Sequence, residues 1–253
     1  MFDITVWVGA VLMGTSLGLL GSGGSILTVP ILVYLAKESE KVAIAESLLI
    51  VGVVALVGSV THILQRSISL RETIAFGIPS MLAAFFGAYL AQFVSGQTQL
   101  IVFSIVMLAA SVFMLRPIST VDVGPKNDVS HRLTLALSGC AVGTLAGFVG
   151  VGGGFLIVPA LLMFARLPMK TAVATSLIII AMQSLSGFAQ YAVHFNSNKI
   201  SFNWELVLLV TTCAVLGVVA GIFVSKRFQQ KLLRKLFGLS LIPMSIFILS
   251  TNF

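Results

Sequence analysis

Two clusters rich in glycine lie inside long apolar stretches of this chain. The first reads Gly21-Ser22-Gly23-Gly24-Ser25 and is followed by Pro30, and the second reads Gly150-Val151-Gly152-Gly153-Gly154 and is followed by Pro159. Glycine lets the backbone turn at positive φ, and a helix that restarts after such a turn offers free N–H groups and a positive dipole end, which suit an anion. We predict that the amides of residues 22–26 and 151–155 face each other across one anion site. Ser22 and Ser25 would add hydroxyl donors, whereas Val151 and Gly154 add none.

The few other polar residues within apolar segments are candidates for the same site. We expect Ser47, Thr175 and Ser176 to line the path of the anion, and Gln183 and Gln190, seven residues apart, to share one helix face and line the cavity. Glu46 is an intramembrane carboxylate and thus a candidate for proton coupling, although a position near a helix end also fits an interfacial role. His62 and His194 are further candidates for proton coupling, with an interfacial role as the alternative.

The composition defines the elements that must position these residues. The chain has 253 residues, of which 58% are hydrophobic and 9% are charged. Several stretches without any charged residue reach the roughly 18 residues that a membrane-spanning helix needs, and they include 4–36, 73–115, 133–165, 171–198, 206–225 and 236–253. The fold class predicted is therefore an all-α polytopic membrane protein. The net charge of +7 comes from short loops, so it does not indicate nucleic-acid binding.

The order of these segments predicts two membrane repeats, residues 1–116 and 132–253, joined by a polar linker, 117–131. Each repeat begins with an overlong apolar element that its glycine cluster breaks, and three helices follow. In the first repeat the predicted helices are 4–20, 25–35, 42–64, 73–94 and 99–115. In the second, the broken element covers 132–165 and the helices that follow are about 171–194, 204–225 and 232–250. The first segment lacks a basic n-region, so we expect it to be retained.

The two repeats are visible in the sequence. At a constant offset of 129, residues 18–50 pair with 147–179 without a gap, and 15 of the 33 pairs are identical. The matches include glycine, proline, lysine and serine positions, which chance pairing of apolar segments would not align. The chain therefore contains an internal duplication.

The basic residues predict how the repeats are oriented. If each broken element crosses the membrane once, alternate sides hold nine and six of the 15 lysines and arginines. If each is a hairpin, one side holds twelve and the other only Lys37, Lys41 and Lys199. The second split fits the positive-inside rule better. It predicts inverted repeats, a cytoplasmic linker and external termini, whether the hairpin arms cross fully (ten segments) or are re-entrant (eight).

Other glycines recur four residues apart and predict close helix packing rather than a ligand site. They form Gly14-xxx-Gly18, Gly139-xxx-Gly143-xxx-Gly147 and Gly217-xxx-Gly221. The sequence shows no metal-ligand set, no Ser/His/Asp cluster and no cofactor fingerprint. We therefore expect neither an enzyme nor a bound cofactor or metal.

The duplicated motifs resemble those of the TauE/SafE family of sulfite exporters. The resemblance rests on residues 21–30 and 150–159, each followed by a basic loop and an Ala-x-x-Ser-Leu helix start, and it extends over essentially the whole chain. It implies a proton-driven secondary transporter of sulfite, thiosulfate, an organosulfonate or another small anion, in a bacterial or archaeal inner membrane. The chain departs from the family pattern at Ser25, in place of a third glycine, and at Glu46, where a small residue or threonine is more usual. A passive anion channel and a transporter of another carboxylate or oxyanion are the alternatives, and a homodimer is left open.

Overall fold

The computed structural model describes residues 3–21, 23–115, 129–197, 201–225 and 230–252, and all regular secondary structure within them is helical. The first repeat contains α1 (Ile4–Leu20), α2 (Gly24–Pro30), α3 (Glu40–Leu64), α4 (Leu70–Glu72), α5 (Ile78–Leu90) and α6 (Gly96–Leu115). Ile31–Leu35 extends α2 as a π-helical turn, Thr73–Gly77 joins α4 to α5 in the same way, and Ala91–Phe93 closes α5 as a 3₁₀ turn. The second repeat contains α7 (Val129–Val149), α8 (Gly154–Met163), α9 (Met169–Ser197), α10 (Trp204–Ser225) and α11 (Gln230–Asn252).

These helices confirm the predicted fold class. Within the described residues, five helical segments are long and apolar enough to cross a membrane, and they are Glu40–Leu64, Leu70–Phe93, Ser130–Val149, Met169–Asn196 and Trp204–Ser225. Many large apolar side chains point outward, Leu12, Leu82 and Leu216 among them. Lipid would cover such a surface. Of the predicted linker, residues 117–128 lie outside the described part of the chain.

The glycine clusters break their helices where the sequence predicts. In the first repeat, the second arm folds back along the first, because Gly24 lies against Met13 and Leu17 whereas Ile31 and Leu35 lie against Gly9. Helix α1 and the arm formed by α2 and its π-turn therefore make an antiparallel hairpin. Both arms, at 17 residues for α1 and 12 for 24–35, are shorter than the roughly 20 residues of a full helical crossing.

The glycine stripes pack helices closely, as predicted, and each of these contacts joins the two repeats. A Cβ atom on Gly14 or Gly18 would collide with the backbone of Ala214 or Val218 in α10. The stripe of α7 meets α5 and the π-turn before it in the same manner, at Phe76, Ser80 and Ala84. Each first helix therefore pairs with a late helix of the other repeat, so neither repeat is a separate globular unit.

Helices α3 and α9 form the centre, and they are the most buried of the five spanning segments. Gly52 packs against Leu185 and Gly58 near Leu177, so residue numbers rise along α3 as they fall along α9. The two helices are therefore antiparallel. Two oppositely oriented repeats require this arrangement, whereas two parallel repeats would align α3 and α9 in the same direction.

Candidate functional site

The first glycine turn is held by the second repeat. Gly21 ends α1 in the left-handed region, with φ of 68°, and its N–H donates to Leu17 O at 2.8 Å. A Cβ at Gly21 would lie 2.6 Å from Val173 Cγ1 in α9, so glycine is needed for space as well as for conformation. Ser176 Oγ, one turn further along α9, donates to Gly21 O at 3.0 Å.

The second glycine turn is held by the first repeat in the same way. Gly150 has φ of 76° and donates its N–H to Ala146 O at 2.9 Å. A Cβ at this position would collide with the side chain of Ile44, and Ser47 Oγ donates to Gly150 O. Every residue of this contact lies 129 positions from its counterpart in the first contact, so the duplication reproduces the interaction as well as the sequence.

These contacts give Ser47 and Ser176 a defined position. Both were predicted to line the path of the anion, and both reach the glycine breaks, where each hydroxyl bonds a backbone carbonyl of the other repeat. Each Oγ also lies 2.8 Å from a carbonyl of its own helix, at Ile44 or Val173. In this conformation the two hydroxyls therefore tie the breaks to the central helices, and whether they contact an anion stays a prediction.

The second break carries an additional clamp. Gly152 and Gly153 have φ of 66° and 58°, so the left-handed backbone continues up to the start of α8. Gln183 Nε2 donates to Gly152 O, and Gln183 Oε1 accepts a hydrogen bond from Ser80 Oγ at 2.6 Å. The side chain of Gln183 is 1% exposed, so this bridge between α5, α9 and the break is fully enclosed. Gln190 is buried two turns further along α9.

The first break differs in its surroundings. Ser22 lies outside the described residues, Ser25 is fully buried, and Gly23 lines a cavity of about 370 Å³ between α1, α2 and α11. The other residues of that cavity are mostly apolar, and Thr15 and Ser16 are the polar ones. Pro30 lies at the end of α2, just before the π-turn, and its counterpart Pro159 lies inside α8.

The two helices that restart after the breaks, α2 and α8, pack against each other. Val151, Gly152, Gly153 and Gly154 are buried, so the second cluster is closed off in this conformation. The sequence predicts facing amides around one anion. The structure brings the restarting helices together, and the anion itself remains a prediction.

Glu46 and its counterpart Thr175 both bind the start of a helix. Glu46 Oε1 accepts the N–H of Asn203, which precedes α10, at 2.7 Å. Thr175 Oγ1 accepts the N–H of Ser69, which precedes α4, at 3.1 Å. The Glu46 side chain is fully buried, and its Oε2 has no hydrogen-bond partner among the described residues. One carboxylate oxygen of Glu46 therefore remains without a partner, and its part in proton coupling stays a prediction.

The two histidines lie away from the breaks. His62 is in the last turn of α3, with Nδ1 3.2 Å from Ser67 Oγ. His194 is near the end of α9, beside the ring of Phe195. Neither is brought close to Glu46 by the contacts of the described residues, and their part in proton coupling stays untested.

Sequence reasoning missed two buried polar groups near the second break. Ser184 is fully buried and lies against Gly152. Gln99 in α6 donates to Tyr191 Oη at 2.8 Å and to Phe148 O, just before Gly150. Gln99 could have been noticed as a polar residue early in an apolar helix. Ser184 gives no signal, because a lone serine is ordinary in a membrane helix.

The fold and the two broken elements define a multi-pass helical membrane protein with an internal duplication. The sequence model described as "Sulfite exporter TauE/SafE" matches residues 6–248, so the chain belongs to the TauE/SafE family. A probable membrane transporter protein of Xylella fastidiosa is 31% identical over 94% of this chain and 91% of its own length. The probable membrane transporter protein YunE of Bacillus subtilis is 28% identical over 91% of this chain and 90% of its own length.

An archaeal relative matches over a similar extent. A probable membrane transporter protein of Methanocaldococcus jannaschii is 26% identical over 94% of both chains. No solved structure matches the chain. The chain is therefore a member of a membrane transporter family, which agrees with the prediction that it is not an enzyme.

Proposed function

We propose that the chain is a secondary active transporter that exports a small sulfur-containing anion, such as sulfite, thiosulfate or an organosulfonate, with the proton gradient. The observation that carries the proposal is the pair of equivalent contacts in which α3 and α9 each hold the glycine break of the other repeat. Broken helices at a repeat interface are where secondary transporters bind substrate and coupling ion. The antiparallel α3 and α9 support inverted repeats, and the charge count supports external termini and a cytoplasmic linker in an inner membrane.

The chemistry of the breaks supports an anionic substrate. Irregular backbone at membrane depth leaves amide groups that need a partner, and a helix start adds a partial positive charge. These donors would bind an oxyanion without a buried lysine or arginine. The family description supports sulfite as the first anion to test.

Glu46 is the residue we assign to proton coupling. Its carboxylate is buried beside the start of α10, it shares Asn203 with Glu38, and Oε2 is free to take a proton. Thr175 makes the equivalent contact without an ionisable group, so capping alone does not require a carboxylate. Only the first repeat would therefore carry the proton.

Flux measurements in proteoliposomes test the function. Wild type should move sulfite or thiosulfate in a saturable way, and an imposed pH gradient should accelerate it. Glu46→Gln keeps the acceptor for Asn203 but cannot ionise, so it should abolish the acceleration while anion exchange without a gradient continues. Glu72→Gln is the matched control, since Glu72 is a buried carboxylate that accepts from Ser69 at the start of α4.

Three outcomes separate the alternatives. Flux that neither saturates nor responds to the gradient would identify a passive anion channel. Saturable flux of carboxylates but of no sulfur anion would identify another oxyanion as the substrate. A normal gradient response in Glu46→Gln would remove Glu46 from coupling without affecting the assignment as a transporter.

A further inference from the structure

Ser184 is a buried hydroxyl group that the fold leaves without a partner. It is fully buried in α9, and its Oγ makes no hydrogen bond among the described residues. Several other buried serines in these helices bond a carbonyl of the preceding turn, as Ser59, Ser104 and Ser245 do. Ser184 could do the same but does not, so it carries a cost in stability that nothing within the described protein offsets.

The Ser184 hydroxyl group lies at the second glycine break. A Cβ on Gly152 would meet Ser184 Oγ before any other atom. The peptide that follows Gly152 is fixed, because its carbonyl accepts from Gln183 Nε2. Ser184 therefore faces a backbone segment whose orientation is already set.

The amides that follow Gly152 lie at the start of α8. Leu156 and Ile157 both donate to Gly153 O, which begins α8. Gly153, Gly154 and Phe155 stand at the start of α8, where the first N–H groups of a helix have no intrahelical acceptor. Helix α8 has 10 residues, so its dipole adds to the positive potential at this end. The Ser184 hydroxyl and these amides form a set of hydrogen-bond donors with no counter-charge within it.

We propose that Ser184 contacts the transported anion and that the anion is held at the second glycine break, by Ser184 and the free amides at the start of α8. This assignment rests on the proposed function. The bound group would be a small oxyanion headgroup such as a sulfonate (–SO₃⁻), because Val51 also lies against Gly152 and leaves little room beside the Ser184 hydroxyl. The position equivalent to Ser184 in the first repeat is Ala55, which is 129 residues earlier and has no hydroxyl. This reverses the expectation that the first cluster supplies the hydroxyl-rich half of the site.

Ser184→Ala should separate binding from stability. A hydrogen bond to a charged ligand is lost, so KM for sulfite or thiosulfate in proteoliposomes should rise about tenfold or more. Without anion, the variant should unfold at the same temperature as wild type or higher, because an unpaired buried hydroxyl has been removed. The stabilisation that sulfite or thiosulfate gives wild type in a thermal unfolding assay should shrink in parallel with the change in KM.

Ser111→Ala is the matched control. Ser111 in α6 is also buried and its hydroxyl also lacks a partner, but it does not lie at a break. Its alanine variant should show the same gain in stability as Ser184→Ala and an unchanged KM. Ser184→Thr, which keeps the hydroxyl, should retain more of the affinity than Ser184→Ala.

The results for wild type and for the variant are read separately. A wild type that transports acetate but no sulfur anion overturns the proposed substrate, and the Ser184 comparison is then made with acetate. A wild type that transports a sulfur anion, with KM unchanged in Ser184→Ala, overturns the role of Ser184 and leaves the proposed function standing. A wild type that neither binds nor moves any of the three anions overturns both.

Discussion

The two glycine breaks make the same contacts with the other repeat but differ in the residues that surround them. In both, a left-handed glycine ends the first helix, packs against a β-branched residue of the other repeat, and accepts a serine hydroxyl at its carbonyl. The first break then borders a cavity at Gly23 and restarts as the 7-residue helix α2. The second is enclosed, is clamped by Gln183, faces Ser184 and restarts as the 10-residue helix α8.

The difference shows how two copies of one repeat can come to carry different functional residues. The shared contacts maintain the geometry of both breaks, so residues outside those contacts were free to change in one copy. Gln183 and Ser184 correspond to Val54 and Ala55, which can pack but cannot bond. The ionisable Glu46, in contrast, is in the first repeat and corresponds to Thr175. On our proposals, Ser184 of the second repeat therefore binds the anion and Glu46 of the first repeat binds the proton, although the two repeats share the same backbone contacts at their breaks.

The largest loss of stability should come from placing a side chain at the glycine that begins each break. Gly21→Ala and Gly150→Ala each place a Cβ in the left-handed region, at a cost of about 1–2 kcal/mol, and overpacking adds roughly 1–3 kcal/mol. Both should lower the temperature of unfolding in detergent and the yield of folded protein. Gly9→Ala is the control, since its Cβ would lie 3.3 Å from the flexible end of Ile31.

The two glycine variants should differ in whether they can be rescued. At Gly150 the collision is mainly with the Ile44 side chain, so Ile44→Ala should restore part of the stability. At Gly21 the new Cβ would also lie 2.8 Å from Val173 O, so Val173→Ala should restore little. If both second substitutions restored the same share of the lost stability, the two turns would be packed more alike than these contacts indicate.

A smaller effect is expected at the clamp that only the second break has. Gln183→Leu keeps most of the volume but leaves Gly152 O and Ser80 Oγ without their partner, which should cost about 1–3 kcal/mol of unfolding free energy. Denaturation in detergent measures this loss. Ser80→Ala leaves the bond to Gly152 intact and should cost less. A Gln183→Leu variant as stable as wild type would contradict the role of the clamp.

The smallest effects should come from the shared serine contacts. Ser47→Ala and Ser176→Ala each remove one hydrogen bond, and the net cost should be about 1 kcal/mol in each case. Because the two contacts are equivalent, the two costs should be similar, and the double variant should show their sum. Thermal unfolding of the three variants tests this. A large difference between the single variants would mean that one of these serines has a further partner, such as the anion.

Much of the fold follows from the sequence because its signals are local. Runs without charge define the spanning helices, and Gly21 and Gly150 end their helices where glycine alone fits. The constant offset identifies Ser47 and Ser176 as equivalent positions in the two repeats, without any coordinates. The glycine stripes likewise indicate close packing, although not which helix they meet.

The site could not be derived in the same way, because its contacts join distant parts of the chain. Ser47 and Gly150 are 103 residues apart, and Ser176 and Gly21 are 155 apart. Asn203, the partner of Glu46, lies in a polar segment that the sequence marks only as a loop. Ser184 stands out only because its buried hydroxyl makes no hydrogen bond among the described residues, and the absence of a hydrogen bond leaves no pattern in the sequence.

The exchanged pairing of the helices has a consequence for how such a protein could arise. The stripe of α1 is covered by α10 and that of α7 by α5, so each repeat completes its packing with the other. A single repeat, evolved or expressed alone, would leave its glycine stripe without the helix that covers it.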